Sequence, residues 1–124
     1  MTIRRVVPNL STSKLRESVQ FYTELFQFEV AMDLDWVVTL ASPSERVAQL
    51  TLMRQDEPEP AESPRAGVSI SIEVVEVDTI HERARAMGLS LELPLTDEEW
   101  GVRRFQLRDP NGVLLNVLSH AEGG

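Results

Sequence analysis

The segment FQLRDPNG, residues 105–112, contains a strand and the tight turn that ends it. Its apolar residues Phe105 and Leu107 alternate with polar neighbours, which is the period of a strand with one apolar and one polar face. The letters DPNG are a strong turn signal, because proline fixes φ and an Asn-Gly pair tolerates positive φ. We therefore predict a hairpin formed by strands at 102–107 and 113–119.

Upstream of this hairpin, the second half of the chain contains a strand, a helix and another strand. Apolar and polar residues alternate strictly over 68–74, which predicts a strand at 67–74. Apolar residues then recur at helical spacing, at Val77, Ile80, Ala84 and Met87. Gly88 is suited to end this helix in the left-handed conformation. With a further strand at 89–95, the second half has the order β-α-β-β-β.

The first half of the chain repeats this order. A β-rich run at 3–10 precedes the cluster Ser11-Thr12-Ser13, which is suited to capping a helix. Strands are predicted at 28–34, 36–41 and 47–53, and the helix between them has its apolar face at Leu15, Val19, Tyr22 and Phe26. Shifting the first half by 62 residues aligns Val7 with Ser69 and Leu15 with Val77, so the two halves share a pattern.

Residues 55–65 separate the two halves and differ from them in composition. The segment holds three prolines and four acidic residues, which do not fit the interior of a strand or a helix. We interpret it as a solvated connector between module 1, about 1–54, and module 2, about 66–124. The alternative is a long hairpin loop.

Composition excludes several classes of protein. The chain has 124 residues, a mass of 14.0 kDa, a formal net charge of −8 and a pI near 4.7, which argue against binding of a nucleic-acid backbone. It has no cysteine, which excludes disulfide scaffolds, zinc ribbons and thiol nucleophiles. There is no apolar run of the roughly 18 residues that predict a membrane span, and no secretory signal. We therefore expect a cytoplasmic protein with no membrane partner.

Alternation along the strands also predicts which side chains share a polar face. Leu50 and Leu52 oppose Gln49 and Thr51, and the isoleucines of the 67–74 strand oppose a second polar set. The polar residues singled out in this way are Gln49, Thr51, Ser69, Ser71, Glu73, Arg104 and Asn116. Eight strands from two curved halves would wrap such a face into a cup. The alternative is a sheet with one face simply in water.

Standard catalytic motifs are absent from the sequence. His81 lies on the second predicted helix and is interpreted as structural, and His120 lies at the end of the last strand with no visible catalytic partner. The acidic cluster at 97–99 precedes Trp100. It is either a solvated loop or a means of attracting a cation to an aromatic side chain. Trp36 and Trp100 occupy equivalent places in the two halves.

The order of elements and several motifs resemble the vicinal oxygen chelate superfamily, which contains glyoxalases, bleomycin-resistance proteins and extradiol dioxygenases. The resemblance is carried by LRESVQFY at 15–22 and by FQLRDPNG, and it covers essentially the whole chain. VPNL at 7–10 and WGVRRF at 100–105 resemble the bleomycin-resistance branch. The resemblance implies one α+β domain over 1–124, with two tandem βαβββ modules forming a curved mixed sheet around a cup. Gln27 departs from the family, which usually has glycine after the first helix.

Enzymes of this superfamily hold a divalent metal in the cup with His, Glu or Asp ligands. By the resemblance, the ligand positions fall on Val7, Gln49, Ser69 and Asn116. Together they provide no imidazole and no carboxylate, the groups that such metals prefer. We therefore predict no metal, no cofactor and no catalytic residue.

The function expected is that of a metal-free small-molecule-binding protein that resembles bleomycin-resistance proteins and sequesters a cationic antibiotic or metabolite. Its ligand-binding residues are predicted to be Trp36, Gln49, Thr51, Ser69, Ser71, Glu73, Trp100, Arg104 and Asn116. One alternative is a metal-dependent lyase, isomerase or dioxygenase with displaced ligands, such as Glu73 with His120. Another is a structural or regulatory dimer, which pairing of Arg104 with an internal acid would favour.

A homodimer is expected on two grounds. An open edge strand exposes unpaired backbone groups and invites pairing. Members of the superfamily also commonly form two-fold dimers, sometimes by exchanging halves, and Pro8 would then lie near the exchange hinge.

Overall fold

A computed structural model describes residues 4–56 and 68–120 of the chain. The chain divides into two compact units, Met1–Ala61 and Glu62–Gly124. The division falls inside the predicted connector, of which residues 57–65 lie outside the described residues. None of the helices in the described ranges is long and apolar enough to cross a membrane.

Unit 1 is a four-stranded mixed sheet with one helix. Its elements are β1 (Asn9–Thr12), α1 (Leu15–Phe26), β2 (Glu29–Asp33), β3 (Val37–Ala41) and β4 (Gln49–Arg54). The strand order is β1-β4-β3-β2, in which β1 runs parallel to β4 and the other neighbours are antiparallel.

Unit 2 repeats this arrangement. Its elements are β5 (Ser69–Glu73), α2 (Val77–Ala86), β6 (Leu91–Asp97), β7 (Val102–Arg108) and β8 (Leu114–His120). The strand order is β5-β8-β7-β6, again with only the first pair parallel. The predicted α+β class and the repeated βαβββ module are confirmed.

The start of unit 1 differs from the prediction. The strand expected at 3–10 is β1, which begins at Asn9 and runs through Thr12, so the predicted bounds were wrong. The carbonyl oxygen of Pro8 accepts the first bond from β4, from the Thr51 N–H at 2.9 Å. Proline has no N–H to give in return, and it is commonly found at the margin of a strand.

The predicted cap of α1 was also wrong. Lys14 occupies the N-cap position without a side-chain hydrogen bond, because Ser11 and Thr12 are already part of β1. The Thr12 hydroxyl oxygen instead accepts the Lys14 N–H at 2.8 Å and lies 3.3 Å from the Ser18 hydroxyl. This contact turns Ser18 inward.

The buried stripe of α1 is therefore rotated from the predicted one. Val19 and Phe26 are only half-buried, whereas the buried residues are Leu15, Ser18, Phe21, Tyr22 and Leu25. In unit 2 the predicted helix face is confirmed at Val77, Ile80 and Ala84. The sheet core beneath α2 contains Phe105, Leu107, Leu115 and Val117, none of which is exposed.

Two predicted turns are confirmed by their backbone geometry. Gly88 follows α2 with φ of +73°, and Gly112 closes the hairpin with φ of +83°. In that hairpin the buried Asp109 carboxylate accepts the N–H groups of Asn111 and Val113 at 2.8 and 2.9 Å. The turn is thus held by a side chain as well as by glycine.

Candidate functional site

The face of the unit 2 sheet opposite α2 carries a hydrogen-bonded row of polar side chains. We call this face, which bears Ser69, Ser71, Glu73, Arg104, Gln106 and Asn116, the open face of unit 2. Ser71 and Gln106 each lie across from Asn116 in the strand register. The Asn116 amide donates to the Ser71 hydroxyl at 3.2 Å and accepts from Gln106 at 3.2 Å. One asparagine therefore joins three strands through their side chains.

Arg104 extends this row toward the β6–β7 turn. Its Nε donates to Glu98 at 2.7 Å and its Nη1 donates to the Asn116 carbonyl oxygen at 3.3 Å. The Arg104 and Glu98 side chains are only 25% and 18% exposed, so this pair is better shielded from solvent than the other arginine–carboxylate pairs among the described residues. Ion-paired hydrogen bonds of this kind are stronger than neutral ones. Arg104 is thus paired with an internal acid, the arrangement that would favour a structural or regulatory role.

Trp100 lies beside this ion pair. The Arg104 guanidinium carbon is 5.6 Å from the centre of the Trp100 ring, a cation–π distance. The acidic cluster thus brings an internal cation to the tryptophan through Glu98. Trp100 remains 67% exposed and Trp36 50% exposed, and both lie in the turn that joins the second and third strands of their unit.

The corresponding face of unit 1 holds the remaining predicted polar residues. The hydroxyl oxygens of Thr39 and Thr51 are 3.0 Å apart on neighbouring strands. The Gln49 carbonyl oxygen accepts from Arg5 at 3.3 Å, and its amide donates to the Arg46 carbonyl oxygen at 2.8 Å. Within each unit, therefore, the predicted alternation of polar and apolar faces is observed.

The structure places His120 beside an acidic side chain. Its Nδ1 lies 2.9 Å from a carboxylate oxygen of Glu73, although the two residues are 47 positions apart. Parallel pairing of β5 and β8 brings the ends of these strands together. His120 was predicted to have no visible catalytic partner, and the contact joins it to Glu73, the residue named with it as a displaced ligand in the metal-dependent alternative.

A cavity of about 440 Å³ opens beside His120 within unit 2. Its walls combine acidic side chains, three valines and one arginine: Val75, Glu76, Val77, Asp78, Asp97, Glu98, Gly101, Val102, Arg103, Ser119 and His120. None of the nine predicted ligand-binding residues lines this cavity. This cavity could not be predicted from the sequence. Its wall is formed by the first turn of α2 and the ends of β6, β7 and β8, which are far apart in the chain.

Arg103 forms one wall of this cavity between two acids. It donates to Asp78 at 2.8 Å and to Asp97 at 3.1 Å. The hydrogen bonds from Arg103 lower the pKa of Asp78 below its ordinary value of 3.8, and the bonds to Asp78 and Asp97 raise the pKa of Arg103. Asp97 belongs to β6, so the interpretation of the acidic cluster as entirely loop was wrong.

Unit 1 contains a related ion pair with the charges exchanged, although its partner strand β2 corresponds to β6 rather than to β7. Arg16, in the first turn of α1, donates to Asp33 of β2 at 2.8 Å, and this hydrogen bond lowers the pKa of Asp33. A cavity of about 510 Å³ lies here, lined by Ser13, Lys14, Leu15, Arg16, Glu17, Asp35 and Arg54. Three of these residues are basic and two are acidic, whereas the unit 2 cavity has four carboxylates and one arginine.

The side chains at the metal-ligand positions implied by the resemblance do not fit a metal. Val7 has no donor atom, and the Gln49 amide is bonded on both sides within unit 1. In unit 2 the Asn116 carbonyl oxygen already accepts from two donors, and Ser69 lies across from Leu114 rather than Asn116. Across 4–56 and 68–120, no three His, Asp or Glu side chains converge on one point. Borderline and hard divalent metals require such donors.

Comparisons with known proteins agree on the fold. A family model described as the Glyoxalase/Bleomycin resistance protein/Dioxygenase superfamily matches residues 2–117. No curated protein matches the sequence.

Among solved structures, a glyoxalase/bleomycin resistance protein/dioxygenase from Nocardioides is 24% identical, with a TM-score of 0.70 over 100% of this chain and 88% of that chain. TioX from Micromonospora sp. ML1 is 21% identical, with a TM-score of 0.74 over 95% and 99% of the two chains. A lactoylglutathione lyase from Agrobacterium tumefaciens is 19% identical, with a TM-score of 0.71 over 96% of each chain.

Proposed function

The chain belongs to the glyoxalase/bleomycin resistance protein/dioxygenase superfamily, and from that premise we propose that it binds a small cationic molecule without a metal ion. The observation that carries the proposal is the bonding of Asn116, whose carbonyl oxygen faces Arg104 and Gln106. A metal ligand at this position would need a carboxylate or an imidazole available for the ion. The polar groups here suit recognition by hydrogen bonds.

The open face of unit 2 supports binding of a ligand that is both polar and apolar. Hydroxyl, amide and guanidinium groups lie on it beside the half-buried side chains of Val102, Leu114 and Leu118. Small-molecule sites typically combine apolar walls with a few fixed polar groups. The exposed ring of Trp100 at the margin adds a surface for stacking.

The distribution of charge favours a cationic ligand at unit 2. Residues 68–120 carry nine acidic side chains against five arginines, whereas residues 4–56 carry seven acidic against six basic ones. An excess of one sign around a concave surface raises the local concentration of ligands of the opposite sign. We include in the proposal a homodimer and, as the most specific ligand class, a cationic glycopeptide antibiotic.

A metal-dependent lyase, isomerase or dioxygenase is the second candidate, and the Glu73–His120 pair favours it. The two side chains lie 2.9 Å apart, and His120 lines the cavity of unit 2. They provide two donor groups of the right type, and a metal site would need at least one more. A purely structural or regulatory role is the third candidate and is favoured by the Arg104–Glu98 pair.

The first experiment measures metal content after incubation with Zn²⁺, Ni²⁺, Mn²⁺ and Fe²⁺. Near-zero stoichiometry with each metal is expected. One tightly held ion per chain would overturn the metal-free proposal. The variant H120Q would then test the second candidate, because loss of the ion from it would identify His120 as a ligand.

The second experiment titrates the metal-free protein with a metal-free cationic glycopeptide of the bleomycin class, by calorimetry and by tryptophan fluorescence. Binding with a change in emission is expected, and the variants W36F and W100F show which ring reports it. Binding that weakens with added salt supports the charge argument. Absence of heat with this glycopeptide and with simple organic amines would favour the structural role instead.

A further inference from the structure

The guanidinium group of Arg104 is held by three different kinds of group in unit 2. Its Nε donates to the Glu98 carboxylate at 2.7 Å, and its Nη1 donates to the Asn116 carbonyl oxygen at 3.3 Å. The guanidinium carbon lies 5.6 Å from the centre of the Trp100 ring. An anion, a neutral acceptor and an aromatic ring together suit a planar cation. We call Glu98, Trp100 and Asn116 the cation subsite, which in this structure surrounds the chain's own arginine.

The cation subsite is more enclosed than an ordinary surface ion pair. The Glu98 side chain is 18% exposed, whereas Glu92, which pairs with Arg108 on the same sheet, is 51% exposed. A shielded carboxylate attracts a cation more strongly than one in bulk water, and it is costly to leave unpaired. Trp100 itself is 67% exposed. A ligand therefore has access to the subsite from the side of the tryptophan ring.

A second acid lies within reach of Arg104 on the open face of unit 2. In the strand register, Leu118 lies across from Glu73 on one side and from Arg104 on the other. Neighbouring strands are about 4.8 Å apart, so roughly 10 Å separates the backbone at Glu73 from that at Arg104. An arginine and a glutamate side chain together can span this distance. The Glu73 side chain is 62% exposed and contacts His120 through one carboxylate oxygen. Arg104 therefore has two acids available to it, one shielded and one exposed.

An internal occupant makes the subsite selective. The Arg104 side chain is attached beside the subsite, and the resulting high effective concentration disfavours small cations from solution. A ligand replaces it only if further contacts add to those of its cation. The hydrogen-bonded side chains of Ser71, Gln106 and Asn116 lie beside Arg104 and provide such contacts. The arrangement therefore favours a larger ligand with a cationic group over a simple cation.

We propose that the cation subsite recognises a planar guanidinium or amidinium group of the ligand, which binds by displacing Arg104 from Glu98 and Trp100 toward Glu73. This inference rests on the proposed function, because it gives the cationic ligand of that function a chemical class and a point of attachment. An alkylammonium ion fits less well, since its charge is compact and strongly hydrated. A guanidinium is flat, stacks on aromatic rings and binds carboxylates through parallel hydrogen bonds. Displacement toward Glu73 leaves both cations paired with an acid.

The test removes the internal arginine and supplies a small guanidinium from solution. R104A, R108A and the unchanged chain are made in the W36F background, so that Trp100 is the only tryptophan. Each is titrated with methylguanidinium chloride at constant ionic strength, by fluorescence and by thermal unfolding. R104A is expected to bind at least about ten-fold more tightly than the unchanged chain, because an unpaired carboxylate regains charge-assisted hydrogen bonds. Its Trp100 emission should change and its melting temperature should rise. R108A is the matched control and should show neither effect, because it frees the more exposed Glu92.

Further variants keep the test decisive. R104Q replaces R104A if that variant does not fold, because its amide nitrogen takes the place of Nε and still donates to Glu98. Adding E98Q to R104A is expected to abolish the gain in binding, and methylammonium is expected to bind R104A several-fold more weakly than methylguanidinium. E73Q tests the displacement: it should weaken methylguanidinium binding when Arg104 is present and have no effect in R104A. Equal effects in both backgrounds would overturn the displacement.

Two results would overturn the cation subsite. One is a folded R104A that binds methylguanidinium no better than the unchanged chain, and the other is equal binding of methylammonium and methylguanidinium. Repeating the glycopeptide titration separates this inference from the proposed function. Glycopeptide binding by the wild type together with either of these results leaves the small-molecule function standing without the subsite. Methylguanidinium binding by R104A in a protein that binds no glycopeptide leaves the subsite standing without that function.

Discussion

Arg103 of β7 donates a 2.8 Å hydrogen bond to Asp78, so that the first turn of α2 is tied to a strand that lies 25 residues away. In unit 1, Arg16 in the first turn of α1 is paired with Asp33 of β2, so the charges are exchanged and the partner strand is the counterpart of β6 rather than of β7. An acid in the first turn of a helix is favoured by the helix dipole, whereas an arginine is not. The tie in unit 1 therefore depends more heavily on its ion pair.

The Asp78–Arg103 pair predicts an acid-dependent loss of stability. The folded-state pKa of Asp78 is lowered by hydrogen bonds from Arg103. A lowered folded pKa adds stability above the unfolded-state pKa, and that stability is lost as the pH falls through the folded value. The variant D78N is expected to be less stable than wild type at neutral pH, with the difference shrinking below about pH 4 and disappearing only below the lowered folded-state pKa. Urea unfolding across pH measures this, and E99Q is the control.

Substitution of Gln27 by glycine is expected to increase the stability of the protein. It ends α1 with φ of +59°, a conformation that costs a residue with a side chain about 1 kcal/mol. The variant Q27G is expected to raise the free energy of unfolding by up to about 1 kcal/mol. Q20G, inside the same helix, should lower it by a similar amount. Equal destabilisation by both changes would show that Gln27 makes compensating contacts.

Substitution of Asp109 is expected to lower the stability of the fold through the loss of one hydrogen-bond acceptor, its Oδ1 atom. Its Oδ1 accepts both the Asn111 and Val113 N–H groups in the turn after β7. D109A leaves these donors without that acceptor and is expected to cost about 1–3 kcal/mol. D109N retains an amide oxygen and should recover most of the loss. Chemical denaturation of the two variants shows whether the hydrogen-bond acceptor or the negative charge is responsible. Equal losses of unfolding free energy in D109A and D109N would assign the effect to the charge.

Asn116 predicts how the proposed ligand site responds to mutation. N116A removes the side chain that joins Ser71, Gln106 and Arg104, and is expected to weaken glycopeptide binding about ten-fold, or about 1.4 kcal/mol. N116D keeps the shape and adds a negative charge, so it should strengthen binding of the same cation. Calorimetry measures both, with Q20A as an amide control on α1. Unchanged affinity in both variants would show that the ligand binds at a different place.

Features that depend on neighbouring residues could be predicted from the sequence, whereas features that depend on pairing between distant segments could not. The strand alternation at Leu50 and Leu52, the turn at Gly112 and the end of α2 at Gly88 are readable from neighbours in sequence. The repeat of two βαβββ modules was readable for the same reason. The errors came at the start of unit 1, where pairing with β4 drew Ser11 and Thr12 into a strand and Ser18 into the core.

For the candidate site, the sequence assigned polar residues to a face and named Glu73 with His120 as displaced ligands in one alternative, but it did not determine which polar side chains bond to one another. The pairs Arg104–Glu98 and Glu73–His120 form because strand order brings particular strand ends together. The same applies to the cavity beside His120, whose wall comes from α2 and three strands. The alternation of residues along a strand determines on which face of the sheet a side chain lies. Which side chains are its neighbours on that face depends on the register between strands.

The sequence by itself determined the α+β class, the two modules, the absence of cysteine chemistry and the lack of His, Asp and Glu at the implied metal positions. These follow from residue identity and from short-range periodicity, which act over one turn or one strand. Only the tertiary structure decided that Arg103 ties α2 to β6 and β7 and that Asn116 joins three strands. Those relations depend on long-range strand pairing, which brings together residues far apart in the chain.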